Sequence, residues 1–256
     1  MSTPIVECRG LSVGYGDHAV LEGIDLTIEA GEIVALLGGS GCGKSTLLRC
    51  FTGLLPPLAG EVRILGEDLY TLPIEKRNLV LSRTGTAFQQ DALFGSMTIG
   101  ENIALPLHEL TRLPQAIIAE MVELRLGLVG LAGFERRAPA SLSGGQRKRA
   151  ALARASILDP EVMFCDEPSA GLDPAVAASI DETLLKFRSA LGVTIVLVTH
   201  ELASIAVIAD RAVMLGRGSI IAVGSIAELE NNSDEDVHNF FHRVAERPDQ
   251  MAARST

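Results

Sequence analysis

Apolar residues occur along this chain in short blocks closed by glycine or by charge. Ile33–Leu37 is an uninterrupted apolar run of strand length, and Val193–Val198 is another, broken only by Thr194. Such runs predict strands buried on both faces of a parallel sheet. Val162-Met163-Phe164-Cys165 reads the same way, ending in acid. Leu21 to Glu29 instead alternates with a period of two, the pattern of a half-buried antiparallel strand. Before it, a strand at Val6–Arg9 leads to a turn cluster, Gly14-Tyr15-Gly16-Asp17. Gly60 to Leu65 predicts a further strand, and Ala212–Leu215 with Ser219–Val223, joined by Gly216-Arg217-Gly218, predict a hairpin.

Helical spacing takes over between these strands. Ser45–Leu54 predicts a helix after the first parallel strand, and Pro174–Leu191 one between the last two. From Ile99 to Leu131 the pattern is helical, with Ile117, Ile118, Met121, Val122, Leu124 and Leu126 as its apolar face. Ser143 stands where a cap would open a helix containing Arg147 to Leu158. Strands alternating with helices predict an α/β fold with a parallel-sheet core. A helical insert of about residues 88–160 interrupts it, and residues 231–256 form a polar tail anchored by Phe240-Phe241. Asn231 to Asp236 reads as a loop and helix cap.

The 256 residues suffice for a sizeable core, so no disulfide or metal staple is needed. Cys8, Cys42, Cys50 and Cys165 show no C-x-x-C pairing and read as small buried residues in a reducing compartment. The 22 basic and 32 acidic residues, net −10, argue against a nucleic-acid partner. Arg136-Arg137 and Arg147-Lys148-Arg149 are the local exceptions. Mean hydropathy is high, +0.29, yet no apolar run has the ~20 residues of a membrane helix. The first residues lack a basic region followed by an apolar stretch, so the expectation is a cytosolic protein that reaches membranes through a partner.

Two motifs give the chain its chemistry. Gly38-Gly39-Ser40-Gly41-Cys42-Gly43-Lys44-Ser45-Thr46 fits G-x-x-x-x-G-K-[ST] and sits between a predicted strand and a predicted helix. Its glycines let backbone N–H groups turn toward phosphate oxygens, and the following helix adds its positive end. Lys44 supplies a cation to the β- and γ-phosphates, and Ser45 a hydroxyl to Mg²⁺. Downstream, a strand ends in Asp166-Glu167. Asp166 is expected to hold Mg²⁺ and Glu167 to polarise the attacking water. His200, after another strand, is a candidate sensor of the γ-phosphate. Gln89, opening the insert, can ligate Mg²⁺ or water through a neutral amide, with Gln90 a weaker candidate. Leu142-Ser143-Gly144-Gly145-Gln146 is a second glycine-rich motif.

Taken together, the set resembles the ATP-binding cassette (ABC) transporter ATPases over about residues 4–230. By that resemblance Tyr15 is the aromatic that stacks on adenine, Gly38–Thr46 is Walker A and Gln89 the Q-loop residue. Ser143, Gly144, Gly145 and Gln146 belong to the signature, Asp166-Glu167 to Walker B, Asp173 ends the D-loop, and His200 is the switch histidine. It implies an α/β P-loop NTPase cassette over residues 4–240, with an N-terminal antiparallel β-subdomain and the inserted helical subdomain. It also implies ATP and Mg²⁺ as cofactors. Two copies would pair head-to-tail, each signature completing the other's P-loop site, so that ATP favours the closed pair.

Ala92-Leu93-Phe94, then Glu101 to Glu109 with Thr111 and Leu113, is similar to the Mla-type branch, the ATPases of MCE-associated lipid transporters. Asp236-Val237 with Phe240 is similar to that branch's C-terminal segment. The implied partners are an Mla-type integral membrane permease, an MCE lipid-binding protein and a small regulatory subunit. The implied place is the cytoplasmic face of the inner membrane. A cytoplasmic helix of the permease is expected near Gln89, in a groove lined by Phe88, Leu93 and Phe94. The competing expectations are an importer ATPase for amino acids or another small polar solute, and a permease-free ABC ATPase acting on DNA or ribosomes.

Overall fold

The computed structural model describes residues 4–242. The chain opens with β1 (Pro4–Tyr15) and β2 (His18–Glu29), which pair antiparallel. β1 continues through Gly14 and Tyr15, so the predicted four-residue turn shrinks to Gly16-Asp17. The ladder reaches its last rung at Tyr15–His18 because a two-residue hairpin needs no more chain. β3 (Ile33–Leu37) follows, then α1 (Lys44–Phe51), shorter than predicted because Thr52 caps it and Gly53 turns to positive φ. β4 (Ala59–Ile64) pairs with β1, and β5 (Glu67–Asp68) with β4. The result is a four-stranded antiparallel sheet in the order β2-β1-β4-β5.

α2 (Ile74–Leu81) and β6 (Thr84–Ala87) come next. The predicted single helical stretch is two helices, α3 (Ile99–Leu110) and α4 (Gln115–Leu128). Pro114 separates them, lacking the N–H a continuous helix requires. On α4 only Ile118, Val122 and Leu126 of the predicted apolar face are buried, whereas Ile117 and Leu124 are exposed. These three lie at i, i+4 and i+8, one stripe of a 3.6-residue helix. α5 (Gly144–Ser156) then leads to β7 (Val162–Asp166), α6 (Pro174–Leu191) and β8 (Thr194–Val198). α7 (Leu202–Ile208), the hairpin β9 (Arg211–Gly216) and β10 (Ser219–Gly224), α8 (Ile226–Glu230) and α9 (Glu235–His242) complete the described chain.

The second sheet runs β10-β9-β3-β8-β7-β6. All neighbours are parallel except the β9–β10 hairpin. Its central strands are covered on both sides, and burial alternates between two cores. Ile33, Ala35 and Leu37 of β3 join one core with Met163, Cys165, Ile195 and Leu197. Val34 and Leu36 join the other with Val162, Phe164, Val196 and Val198. The first core is completed by α3 to α6, the second by α1 and the antiparallel sheet. This sandwiching holds the ends of β3, β7 and β8, and the loops after them, in fixed relation.

Cys8, Cys50 and Cys165 are buried free thiols, and burial pushes the last two up to about 11 and about 12. Two of the local basic groups find partners within the chain: half-buried Arg149 donates to the Val129 carbonyl at 3.2 Å, and the guanidinium of exposed Arg137 stacks 3.9 Å over the Phe134 ring. Asp234 caps α9, accepting from the N–H groups of Asp236 and Val237. Val237 is fully buried, and Phe240 and Phe241 pack partly buried against the first core. The remainder of the predicted tail, 243–256, lies outside the described residues. Among those described, no helix is long and apolar enough to cross a membrane.

Candidate nucleotide site

β3 delivers the chain into the Gly38–Gly43 loop at full burial. Gly38 has φ +142°, and an added Cβ would sit 2.3 Å from the Leu215 carbonyl oxygen of β9. Gly43, at φ +105°, directly precedes α1 and packs against Leu21. Both positions require glycine, one for close approach to a neighbouring strand and both for a left-handed backbone. Gly39, Ser40 and Gly41 are exposed, Cys42 is half-buried and Thr46 is buried on α1. Lys44 folds back over the loop, its Nζ donating to the carbonyls of Gly38 at 2.8 Å and Gly39 at 2.9 Å. The ammonium is thereby held where a phosphate on the loop would meet it.

The ends of β3 and β7 bring Ser45 and Asp166 together. Ser45 Oγ donates to Asp166 Oδ1 at 3.1 Å across 121 residues of sequence. They line a cavity of about 270 Å³ with Thr86, Phe88, Gln89 and Arg49. Burial pushes the Asp166 carboxyl above its ordinary range, opposed by the Ser45 hydrogen bond and by Arg49, Lys44 and Lys148. A hydroxyl, a carboxylate and an amide converging on one space form an all-oxygen donor set, the chemistry that suits Mg²⁺.

Glu167 lies one residue further, outside β7. Its φ is +50°, uncommon for a non-glycine residue. Its N–H still donates to the Val198 carbonyl at 2.9 Å, so β7 and β8 remain laddered one step past the strand. β8 ends beside it, and His200 Nδ1 stands 2.9 Å from Glu167 Oε1. Glu167 Oε2 is buried without a hydrogen-bond partner. A carboxylate with one oxygen oriented and one free can accept a proton from water.

The other predicted residues are placed as follows. Tyr15 is exposed, its hydroxyl accepting from Arg49 of α1 at 2.6 Å. Gln89 and Gln90 line the cavity from the loop after β6. Ser143 opens α5 with a capping box: its hydroxyl accepts from the Gln146 N–H, and the Gln146 amide oxygen accepts from the Ser143 N–H. Gly145 is buried against Val176 of α6, and Gly144 lies near Leu172. Asp173 caps α6. None of Ser143 to Gln146 lines the cavity beside Ser45. Within one chain, then, the two glycine-rich motifs do not share that space. Phe88 and Phe94 of the predicted groove are exposed, while Leu93 packs against the core. A larger cavity of about 430 Å³ opens instead between α3 and α4, lined by Ala104, Leu105, His108, Ile118 and Val122 among others.

Sequence reasoning passed over Lys148 and Asp91, which contact the Gln89 loop. The signal available was the basic run Arg147-Lys148-Arg149 beside a glycine-rich motif, which reads as surface charge until the fold folds it inward.

Residues 21–170 match the ABC transporter family. The intermembrane phospholipid transport system ATP-binding protein MlaF of Escherichia coli (strain K12) is 38% identical over 244 residues, covering 95% of this chain and 91% of that protein. The probable ribonucleotide transport ATP-binding protein mkl of Mycobacterium tuberculosis (strain ATCC 25618 / H37Rv) is 39% identical, over 92% of this chain and 66% of that one. Among solved structures, the dimeric post-hydrolysis state of the ATP-binding cassette MJ0796 bound to ADP and Pi superposes with a TM-score of 0.79. It is 29% identical and covers 86% of this chain and 98% of its own. In this chain the P-loop ends β3 and the acid pair ends β7, two strands over, and with these likenesses the conclusion follows: this chain belongs to the ABC transporter family and is an ATP-binding, ATP-hydrolysing cassette.

Proposed function

We propose that this cassette is the motor of a phospholipid transporter that works between the inner and outer membranes. Two copies would close head-to-tail over two ATP molecules, at the cytoplasmic face of a membrane permease. The observation that carries the hydrolytic part is the convergence of the Ser45–Asp166 and His200–Glu167 contacts at the ends of adjoining parallel strands. In this reading the Gly38–Thr46 loop and Lys44 bind the phosphates, and Tyr15 stacks on the base. Glu167 orients the attacking water and takes its proton, while His200 holds Oε1 and leaves Oε2 to the water. Mg²⁺, held by Ser45, Asp166 and Gln89, would neutralise charge developing on the phosphates. Ser143, Gly144, Gly145 and Gln146 of the second copy would close the site, with Asp173 at the shared boundary. The N-terminus of α5 offers unpaired N–H groups and a positive dipole end to that nucleotide. The dimeric state of MJ0796 with ADP and Pi supports the pairing.

The phospholipid cargo rests on the likeness to MlaF, which spans nearly all of both chains. The partners in this reading are an Mla-type permease, an MCE lipid-binding protein and a small regulatory subunit. The apolar cavity between α3 and α4 is a second place, besides the Gln89 loop, for a permease helix to seat. A second reading, a motor for import of a small polar solute, is favoured by the likeness to mkl, named for ribonucleotide transport. Affinity purification of the chain from solubilised membranes, with identification of co-purifying proteins and lipids, separates the two. A permease with an MCE protein and bound phospholipid is the expected result; a solute-binding protein without lipid would sink the phospholipid reading.

A further inference from the structure

α5 carries Ser143 at one end, but further along it grips the loop that follows β6. Lys148 is only 9% exposed. Its Nζ donates to the backbone carbonyl of Gln89 and to the backbone carbonyl of Glu167, the latter at 3.4 Å. Its third neighbour is Asp91 Oδ1 at 3.7 Å, a buried oxygen with no hydrogen-bond partner. Arg147 Nε donates to the other oxygen of Asp91 at 3.2 Å. Arg154, two turns further along the same face, donates to the carbonyls of Ala92 at 2.7 Å and Asp91 at 3.2 Å. Asp91 and Ala92 both have positive φ, +30° and +52°. The loop is therefore kept in a sparsely populated backbone conformation by cations from one helix.

An ammonium stays buried only where fixed acceptors replace its water. Lys148 draws its acceptors from the peptide of Gln89 and the peptide of Glu167, the groups expected to hold the metal and to activate water. Both are thereby tied to the helix whose first turn begins at Ser143. A helix moves as a rigid element, so a shift at its N-terminus reaches Lys148 without loss.

We propose that Lys148 is a positioning residue for hydrolysis. It locks the backbones of Gln89 and Glu167 to α5, so that engagement of Ser143 by a second copy's nucleotide aligns the first copy's own water-activating carboxylate. The proposal rests on the head-to-tail reading above and adds to it the device linking the two sites. It assigns Lys148 an effect on turnover rather than on nucleotide affinity.

The test uses the purified full chain and Mg-ATP. Lys148→Met should lower kcat about tenfold or more with KM for ATP kept within about twofold. Lys148→Arg, which keeps a buried cationic donor, should recover most of the loss. Hydrogen exchange of the 88–92 amides should quicken in the Met variant and not in the Arg variant. Wild-type kcat in Lys148→Met, or equal losses in both variants, would overturn the proposal. Should Lys148→Met fail to fold, Asp91→Asn carries the same test. It removes the carboxylate beside the ammonium and should lower kcat at constant KM, with faster exchange at 88–92; unchanged kcat and exchange would overturn the proposal. Glu167→Gln run in parallel separates this idea from its parent. An inactive Glu167→Gln beside a fully active Lys148→Met sinks only the coupling, whereas an active Glu167→Gln sinks the hydrolytic reading itself.

Discussion

His200 Nδ1 lies 2.9 Å from Glu167 Oε1, while Glu167 Oε2 is buried with no partner. One carboxylate oxygen is oriented and the other is kept open. An oxygen that is buried and unpaired costs stability, of order 1–3 kcal/mol. The fold retains it one residue past Asp166, and a water bound to it would repay that cost.

Removing the negative charge from this carboxylate should therefore separate binding from turnover. Glu167→Gln is expected to bind ATP as the wild type does while kcat falls about 10²–10⁴-fold. Light scattering with ATP should show it accumulating as a dimer. Wild-type turnover would remove Glu167 from its role as base.

Ser143→Arg should act at a distance from its own P-loop, because Ser143 does not line the cavity beside Ser45. Losing the capping box costs about 1 kcal/mol of stability. ATP titration should show undiminished affinity in the monomer. In a Glu167→Gln background the ATP-driven dimer should disappear; an unchanged dimer mass would mean that the copies do not meet signature to P-loop.

Asp166 combines a stability cost with the metal role proposed for it, and the sign can be worked out. Burial raises its folded pKa above the unfolded value, so the folded protein without metal holds this proton more tightly than the unfolded chain does. The penalty is absent at pH values below the unfolded pKa and reaches its full size once the pH has passed the folded pKa. Asp166→Asn should therefore raise the melting temperature of the nucleotide-free protein at neutral pH, while abolishing Mg-dependent hydrolysis. For a chain of this size a gain of ~1 kcal/mol corresponds to roughly 2–4 °C. A lower melting temperature in Asp166→Asn would show that the ionised form is stabilised rather than penalised.

Gly145 is fixed by packing as well as by any nucleotide. A Cβ there would lie 2.2 Å from Val176 Cγ1 of α6. Gly145→Ala should cost about 1–3 kcal/mol by overpacking, read as a lower denaturation midpoint. Gly145→Ala combined with Val176→Ala should recover most of it. If the double variant is no more stable than the single one, the α5–α6 contact is not the cause.

Local signals were the legible ones. The Ser143 cap, the helix from Pro174 to Leu191 and the buried run Ile33–Leu37 depend on residues adjacent in sequence, and the structure agrees with each. Edge strand β6 was not legible, because Thr84-Gly85-Thr86-Ala87 has no apolar run and gains its place only by pairing with β7. α2 was missed for a related reason: only Val80 of its residues is buried. The family motifs gave the candidate residues, but not that Tyr15 closes a ladder rather than a loose turn. Nor could they give the contacts of Lys148, which join it to Gln89 across 59 residues.

The backbone rotation at Glu167 has a wider consequence. Asp166 and Glu167 share a peptide, yet one faces the Ser45 cavity and the other meets His200 across the sheet. Because both hang from the same joint between two parallel strands, a slip of β7 against β8 would dislodge the proposed metal ligand and the proposed proton acceptor at one stroke. The seam between β7 and β8 is thus the part of this machine least free to move.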